Sequence, residues 1–385
     1  MGSIEIDELK KFFARPRKKA GPRNASYAEA FESSSTLTCA MNNKKQLLAA
    51  GSAVLLCGVL ISAAEKKEHE PLVARAALGA VTVDQFWRER DITSCNLYYG
   101  PGGPGQVPHG PFRFLEEDLD GTNPKFDIRD ADGVKWKVKL GSEARPETAS
   151  SRLVWAAGYF ANENYFVSNI KIDNLPVHLH RGQHYVQPDG SIRNVRLKRY
   201  RQGEKKIGNW QWANSPFAGS REFDGLRVLM ALLNNWDLTD ENNAIYEERA
   251  GDEVTPSRIF MVSDLGSTFG APGLTWPLRN ARGNLDVYRQ STFITFKTSE
   301  TIDFGSPHRD SLVFLATPRE YMQKLRLQWI GKRIPRDHAR WLGQQLARLS
   351  QDQIRDAFRA AGYTTEEVEG FTAVVQIRIA ELQGL

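Results

Sequence analysis

Two carboxylates and one amide in the second half of the sequence have the types and spacing that could act on a phosphate. Asp237 precedes Asn242 by five residues, and Asp264 ends an apolar run and is followed by a Leu-Gly pair. A carboxylate can accept a proton from an attacking hydroxyl, whereas carboxylate and amide oxygens can together hold Mg²⁺. These three residues therefore predict a site for metal-assisted phosphoryl transfer.

A lysine and a glutamate earlier in the chain could complete such a site. Lys139 ends a predicted strand, and Glu147 opens the predicted helix that follows it. An ammonium at a strand end can reach the phosphates of a nucleotide, and a carboxylate on the next helix can orient that ammonium. We therefore expect Lys139 and Glu147 to form an ion pair.

The elements that must position these residues follow from hydrophobic periodicity and turn residues. Three strands with intervening turns precede an amphipathic helix that ends at Gly158. A buried helix precedes the Asp237 segment, a hairpin leads to Asp264, and the last hundred residues are strongly helical, with Ser350 and Thr364 or Thr365 as N-caps. The predicted strands are 112–118, 125–129, 134–140, 244–247 and 258–263, and the predicted helices are 146–157, 221–234, 318–330, 335–349, 351–361 and 365–383.

These motifs and their order resemble the atypical kinase superfamily, nearest in style to secretory-pathway casein kinases, phosphatidylinositol 4-kinases and HipA-type kinases. The segments that carry the resemblance are 138–141, 147–158, 236–242 and 263–266, with 121–126 where the nucleotide-covering loop would lie. The spacing of Asp237 and Asn242 is that of a kinase catalytic loop. The soluble part also resembles a group of exported bacterial proteins.

The resemblance implies an α+β fold with a bilobal kinase-like domain, in which an antiparallel-sheet lobe with one helix precedes a larger, mainly helical lobe. It implies ATP and Mg²⁺ as cofactors and an ATP-dependent phosphotransferase activity. The implied roles are catalysis by Asp237, nucleotide binding by Lys139, Glu147, Gly121 and Thr122, and metal binding by Asn242 and Asp264.

Departures from the kinase pattern leave other functions open. Asn235 and Trp236 replace the usual histidine-arginine pair, and about 22 residues separate Asn242 from Asp264. A pseudokinase, transfer of another group, or an envelope structural protein are the alternatives. The sequence Ile-Asp-Phe-Gly around Asp303 spells the metal motif more literally, but Asp264 is preferred because an apolar strand precedes it.

Each candidate also has a structural interpretation. Lys139 could belong to an exposed strand edge with Lys135 and Lys137. Glu147 could be an ordinary first-turn carboxylate. Asp237 and Asn242 could build a cap or an Asx turn, and Asp264 could end a strand.

The composition is that of an ordinary globular protein and gives no support to nucleic-acid binding. The chain has 385 residues, 25% charged and 41% hydrophobic, with a net charge of +5, and it shows no motif for nucleic-acid binding.

A basic cluster favours an anionic acceptor, either protein or lipid, and otherwise indicates a solvated face. Its members are Arg193, Arg196, Lys198, Arg199, Arg201, Lys205 and Lys206.

An uncharged apolar run, Leu47–Ala64, predicts a transmembrane anchor or a signal-peptide helix. Lysines and arginines precede it, so the positive-inside rule places the C-terminal bulk outside the cytoplasm, in the cell envelope or periplasm. Met41 is an alternative start to Met1. The predicted organisation is a basic N-terminal region, 1–46, the apolar helix, 47–64, a linker and lead-in, 65–111, and a kinase-like domain, 112–385, with lobes of about 112–190 and 191–385.

Overall fold

The computed structural model describes residues 81–121, 123–201, 203–248, 257–272, 281–305, 322 and 325–385. The apolar run Leu47–Ala64 and the basic region before it lie outside the described residues, and so does Thr122. Among the helices that the structure does describe, none has both the length and the hydropathy required to cross a membrane.

Five strands form a closed barrel in the order β1-β2-β3-β5-β4. Consecutive neighbours pair antiparallel, and a short parallel pairing of β1 with β4 closes the barrel. The strands are β1 (Phe112–Asp118), β2 (Lys125–Arg129), β3 (Lys135–Lys139), β4 (Asn164–Asp173) and β5 (Ser191–Arg199). The first three confirm the predicted strands. β5 extends the barrel to Arg199, past residue 190, where the sequence predicts that the small lobe ends.

Alternation along β3 decides which side chains face the barrel interior. Trp136 and Val138 are buried in the barrel core, so Lys135, Lys137 and Lys139 lie on the outer face. Helix α1 (Ala144–Ala156) follows and packs against β4 and β5. It begins two residues before the predicted start.

The second part of the fold combines two small sheets with five described helices. One sheet has the order β6-β7-β8 and the other the order β11-β10-β9. The elements are β6 (Glu204–Gly208), α2 (Arg221–Leu232), β7 (Asn243–Glu248), β8 (Ser257–Val262), α3 (Leu285–Gln290), β9 (Ile294–Lys297), β10 (Thr301–Phe304), β11 (Ile334–Pro335), α4 (Arg336–Leu346), α5 (Gln351–Arg359) and α6 (Thr365–Gln383).

Helices still contain more residues than strands in this part of the described chain, but the sheets make it more mixed than the predicted, mainly helical lobe. The hairpin β7–β8 was predicted, but β9–β11 were not, because these strands have two to four residues each and give little periodic signal. The helix predicted at 318–330 lies mostly outside the described residues, and 328–331 form a 3-10 turn.

Helix α2 is almost wholly buried and packs against α4, and α6 packs against α3, α4 and α5. Ser350 and Thr364 are the N-caps of α5 and α6, and each forms a capping box with the residue three positions later. Both caps confirm the prediction.

The lead-in segment is packed onto this core. Phe86 and Ile92 are buried within it, and the side chain of Gln353 donates hydrogen bonds to the carbonyls of Ile92 and Cys95, each at 2.9 Å. The described part of the lead-in, 81–111, therefore belongs to the folded domain.

Candidate functional site

The ammonium of Lys139 is surrounded by three carboxylates. Its Nζ lies 3.0 Å from Glu143 Oε2, 2.9 Å from Glu147 Oε2 and 3.0 Å from Asp264 Oδ2. The lysine and both glutamates are buried, whereas the Asp264 side chain is 40% exposed. The structure thus joins the end of β3, the start of α1 and the segment after β8 at one charged centre.

Local structure explains why two glutamates reach one lysine. Gly141, with φ of +88°, turns the chain from β3 into α1. Glu143 is the N-cap residue of α1 and Glu147 lies in its first turn. A separation of four residues places both side chains on one helix face. A carboxylate at this end is also stabilised by the helix dipole.

Two arginines bind the outer oxygens of these glutamates. Arg196 Nη2, from β5, lies 2.9 Å from Glu147 Oε1, and Arg282 Nε lies 3.0 Å from Glu143 Oε1. Each glutamate therefore bridges Lys139 and an arginine. We name Lys139, Glu143, Glu147, Arg196 and Asp264 the cleft cluster.

The charges of the cleft cluster shift the pKa values of Lys139 and Asp264. Burial acts to lower the pKa of Lys139, but Asp264, Glu147 and Glu143 together hold it well above its ordinary value. Burial acts to raise the pKa of Asp264, but the Lys139 ammonium and the Gly266 N–H hold it well below its ordinary value. Both groups are therefore charged at neutral pH.

The glycine after Asp264 is required by close packing. A Cβ at Gly266 would lie 2.7 Å from Glu143 Oε2, while the backbone N–H of Gly266 donates to Asp264 Oδ1 at 3.0 Å. The predicted Asp-Leu-Gly segment thus places its carboxylate against Lys139 and fits its glycine against α1.

The predicted catalytic loop lies next to Asp264. Asn242 Nδ2 donates to the carbonyl of Asp237 at 2.7 Å. The carbonyl of Asn242 accepts from the N–H groups of Ser263, at 2.7 Å, and Asp264, at 3.2 Å. Asn242 therefore connects the Asp237 segment to the segment that carries Asp264, so the order predicted along the chain becomes proximity in space.

The predicted nucleotide-covering turn lies beside the end of β3. Gly121 adopts a φ of +64°, and Leu140 N–H donates to the carbonyl of Pro124 at 3.1 Å. Arg181 donates to the carbonyls of Gly121 and Asp118 and so holds this turn. Thr122, the other predicted residue, lies outside the described residues.

The neighbouring lysines and the alternative metal motif occupy other environments. Lys135 Nζ lies 2.7 Å from Asp127 Oδ2, and Lys137 is paired with Asp118, so both are bound to carboxylates on the outer face of the barrel. Asp303, in β10, accepts the N–H of Arg333 at 2.8 Å. It is thus bound within its own sheet region and is not among the partners of Lys139.

Sequence reasoning missed Glu143 and the position of Arg196. Glu143 lies four residues after Lys139, a spacing that could have marked it. Arg196 was grouped in the basic cluster, which is not one solvated face. Arg199 and Arg201 lie 3.6 Å from Glu163, so much of the cluster is paired with carboxylates.

Among known proteins, the chain is similar to solved structures. No family model matches the sequence, and no curated protein has a matching sequence. The crystal structure of the Helicobacter pylori proinflammatory kinase CtkA is similar with a TM-score of 0.39 at 11% identity, over 71% of this chain and 95% of that chain. The crystal structure of the Golgi casein kinase is similar with a TM-score of 0.29 at 11% identity, over 93% of this chain and 94% of that chain.

Proposed function

We propose that this chain is an ATP- and Mg²⁺-dependent phosphotransferase of the atypical kinase type. The observation that carries the proposal is the convergence of Lys139, Glu147 and Asp264, since Lys139 and Asp264 are 125 positions apart in the chain. A cation for phosphates, a carboxylate that orients it and a metal-binding carboxylate are the parts that phosphoryl transfer requires. The adjoining Asp237–Asn242 loop adds a carboxylate for the acceptor.

The donor atoms present fit a magnesium ion. The Asp264 side chain is partly exposed, and Asn242 uses its amide nitrogen on the carbonyl of Asp237, so its side-chain oxygen remains available as an acceptor. Carboxylate and amide oxygens are hard donors of the kind that Mg²⁺ prefers. Bound there, Mg²⁺ would neutralise charge on the phosphates.

The remaining roles belong to side chains of this chain. Lys139 would bind the phosphates as a point charge, and Glu147 would hold its ammonium in place. Asp237 would accept the proton of the acceptor hydroxyl, with its loop held by the Asn242 amide. The turn around Gly121 would cover the phosphates with backbone groups.

Phosphoryl transfer is tested with γ-labelled ATP, Mg²⁺ and the full-length protein, by following hydrolysis and labelling of the protein itself. Asp237→Asn should abolish transfer and leave nucleotide affinity within about twofold, because Asp237 acts on the acceptor. Transfer at the wild-type rate in this variant would remove Asp237 from the mechanism.

A non-catalytic binding module is the second candidate. The observation that favours it is the saturation of Lys139 by three carboxylates, an arrangement that can also serve as a structural ion cluster. A module of this kind would bind nucleotide weakly or not at all and would keep its fold after substitution of Asp237 or Asn242.

The proposed site of action is the cell envelope, and the proposed acceptor is an anionic protein or lipid. The apolar run Leu47–Ala64, with basic residues before it, supports the location. Fractionation of cells that express the full chain tests it: an anchor predicts retention in membranes after an alkaline wash, a cleaved signal peptide predicts release with the periplasmic fraction, and recovery in the cytosolic fraction would contradict both.

A further inference from the structure

Four cations lie together on two neighbouring strands of the barrel wall. In the antiparallel register of β3 and β5, Lys137 is opposite Lys198 and Lys139 is opposite Arg196. The alternating residues Val138 and Leu197 are fully buried in the barrel core, so all four cations are on the outer face. Directly opposed like charges destabilise a sheet unless negative groups separate them.

Carboxylates compensate three of these four cations. Lys137 is paired with Asp118, Lys139 has the three carboxylates of the cleft cluster, and Arg196 is paired with Glu147. Lys198 has no ion-pair partner among the residues that the structure describes. Glu147 and Glu204 act on its charge from beyond ion-pair distance, so Lys198 is the least compensated of the four cations.

The arginine beside Lys198 is also incompletely bound. Arg196 is 4% exposed, and its Nε and Nη1 atoms are buried without a hydrogen-bond partner in the described part of the chain. Buried N–H groups usually have partners, and two unpartnered guanidinium nitrogens on the strand that carries Lys198 suit an anion.

We propose that Lys198, with Arg196 behind it, forms a second phosphate-binding position beside Lys139. A phosphate group carries between one and two negative charges at neutral pH and has several acceptor oxygens, which suits an uncompensated ammonium backed by a guanidinium. This inference deepens the proposed function and rests on it for the placement of the nucleotide. The anion itself can be the phosphate chain of the nucleotide or a phosphate carried by the acceptor.

The titration of Lys198 agrees with this geometry. Burial and the positive charge of Arg196 lower the pKa of Lys198 to about 8. A folded protein that lowers a lysine pKa loses stability by keeping that lysine charged at neutral pH. A bound anion would offset this loss, and replacement of Lys198 by methionine would remove it.

The test is calorimetric titration of the full-length protein with ATP, tripolyphosphate and inorganic phosphate, the last also in the presence of saturating ATP. The variant is Lys198→Met, and the matched control is Lys171→Met, an exposed lysine on β4 of the same barrel. Loss of one charge-assisted hydrogen bond should weaken binding about tenfold in the first variant and leave it unchanged in the control.

The source of the anion is identified by which probe binds more weakly to Lys198→Met. Weaker binding of ATP and tripolyphosphate indicates the nucleotide, whereas weaker binding of inorganic phosphate to the ATP-saturated protein indicates the acceptor, and either supports the inference. Unchanged affinity for every probe in Lys198→Met would overturn it, even if ATP binding itself upholds the proposed function. Tripolyphosphate binding that depends on Lys198, without any ATP binding, would uphold the anion site and reject the proposed function.

Unfolding without ligand separates a binding role from a structural one. Lys198→Met should unfold at a higher temperature than the wild type, because it removes a partly buried charge that has no ion-pair partner among the described residues. A lower unfolding temperature together with weaker binding would indicate that Lys198 supports the fold, and would overturn the assignment.

Discussion

Two buried clusters of charged residues in this molecule differ in how completely their atoms are bound. In the helical part, Arg227 Nε donates to the carbonyl of Ile330 at 2.8 Å and Nη2 to that of Lys332 at 2.7 Å, while Nη1 lies 2.5 Å from Asp224 Oδ1. His338 Nδ1 lies 2.8 Å from Asp224 Oδ2. We name Asp224, Arg227 and His338 the helical cluster.

The cleft cluster gathers more charge and leaves more of it unsatisfied. Three carboxylates contact Lys139, and two nitrogens of Arg196 have no partner among the described residues. A completely bound charged cluster supports the fold, because each polar atom has exchanged water for a protein partner. A charged cluster with unpartnered polar atoms, beside a partly exposed carboxylate, is better suited to bind a ligand.

Substitution of the central lysine should give the largest effect on function. Lys139→Met removes the charge that we propose binds phosphate, so transfer should fall about 10³-fold. It also leaves three carboxylates without their shared cation, so the variant should unfold more easily. The measurement is the rate of transfer from labelled ATP, beside urea unfolding.

A double variant separates these two effects. Lys139→Met with Glu143→Gln has less uncompensated negative charge and should recover part of the stability but none of the activity. Recovery of both together would show that Lys139 acts only through the fold.

Substitution in the helical cluster should lower stability and leave the rate of transfer nearly unchanged. Arg227→Met leaves Asp224 buried with only His338, which should lower the free energy of unfolding by about 3–5 kcal/mol. The rate of transfer per folded molecule should stay within about twofold of the wild type. Urea unfolding and the transfer assay, both below the unfolding transition, measure this pair of effects. A folded Arg227→Met protein that has lost transfer would show that the helical cluster also serves the activity, and would contradict this difference between the two clusters.

Substitutions of the two glutamates of the cleft cluster should change the affinity for ATP in opposite directions. Glu147 orients Lys139 and also binds Arg196, so Glu147→Gln should weaken ATP binding about tenfold. Glu143 competes with phosphate for the same ammonium, so Glu143→Gln should strengthen ATP binding by about threefold. Calorimetric titration at matched Mg²⁺ measures both. Equal weakening in the two variants would assign both glutamates the same supporting role.

The smallest expected effect concerns pH. Lys198, which faces Arg196, Lys137, Glu147 and Glu204, has a pKa of about 8, so it loses its proton at lower pH than an ordinary lysine. The affinity advantage of the wild type over Lys198→Met for tripolyphosphate should shrink as the pH rises from about 7 to 9.5. Titration at four pH values checks this, and a constant advantage would exclude Lys198 protonation as its source.

Strand alternation was enough to predict the elements that carry the candidate site. It located the first three strands and the β7–β8 hairpin, and the apolar strand before Asp264 separated this residue from Asp303. The structure then places Asp303 in a contact with Arg333. Local periodicity succeeds here because each segment is long enough to show which face is buried.

The parts that could not be predicted depend on contacts between distant segments. Arg196 belongs to a run of basic residues, and nothing in that run shows that Glu147 of helix α1 binds it. In the sequence, Glu143 resembles an ordinary helix-cap residue. Its contact with Lys139 depends on the turn at Gly141, which the local sequence does not show. The short strands β9–β11 depend on pairing with one another, which their sequences do not specify.

Thermal unfolding of the full-length protein with and without Mg²⁺ and ATP tests the central claim most directly. The variants are Asp264→Asn and, as a matched control, Asp303→Asn from the more literal Asp-Phe-Gly motif. At a hundredfold excess over the dissociation constant, nucleotide should add about 2.7 kcal/mol to the wild type and to Asp303→Asn, but not to Asp264→Asn. A Mg²⁺-dependent shift that persists in Asp264→Asn, or no shift in a cooperatively folded wild type, would contradict the phosphotransferase assignment.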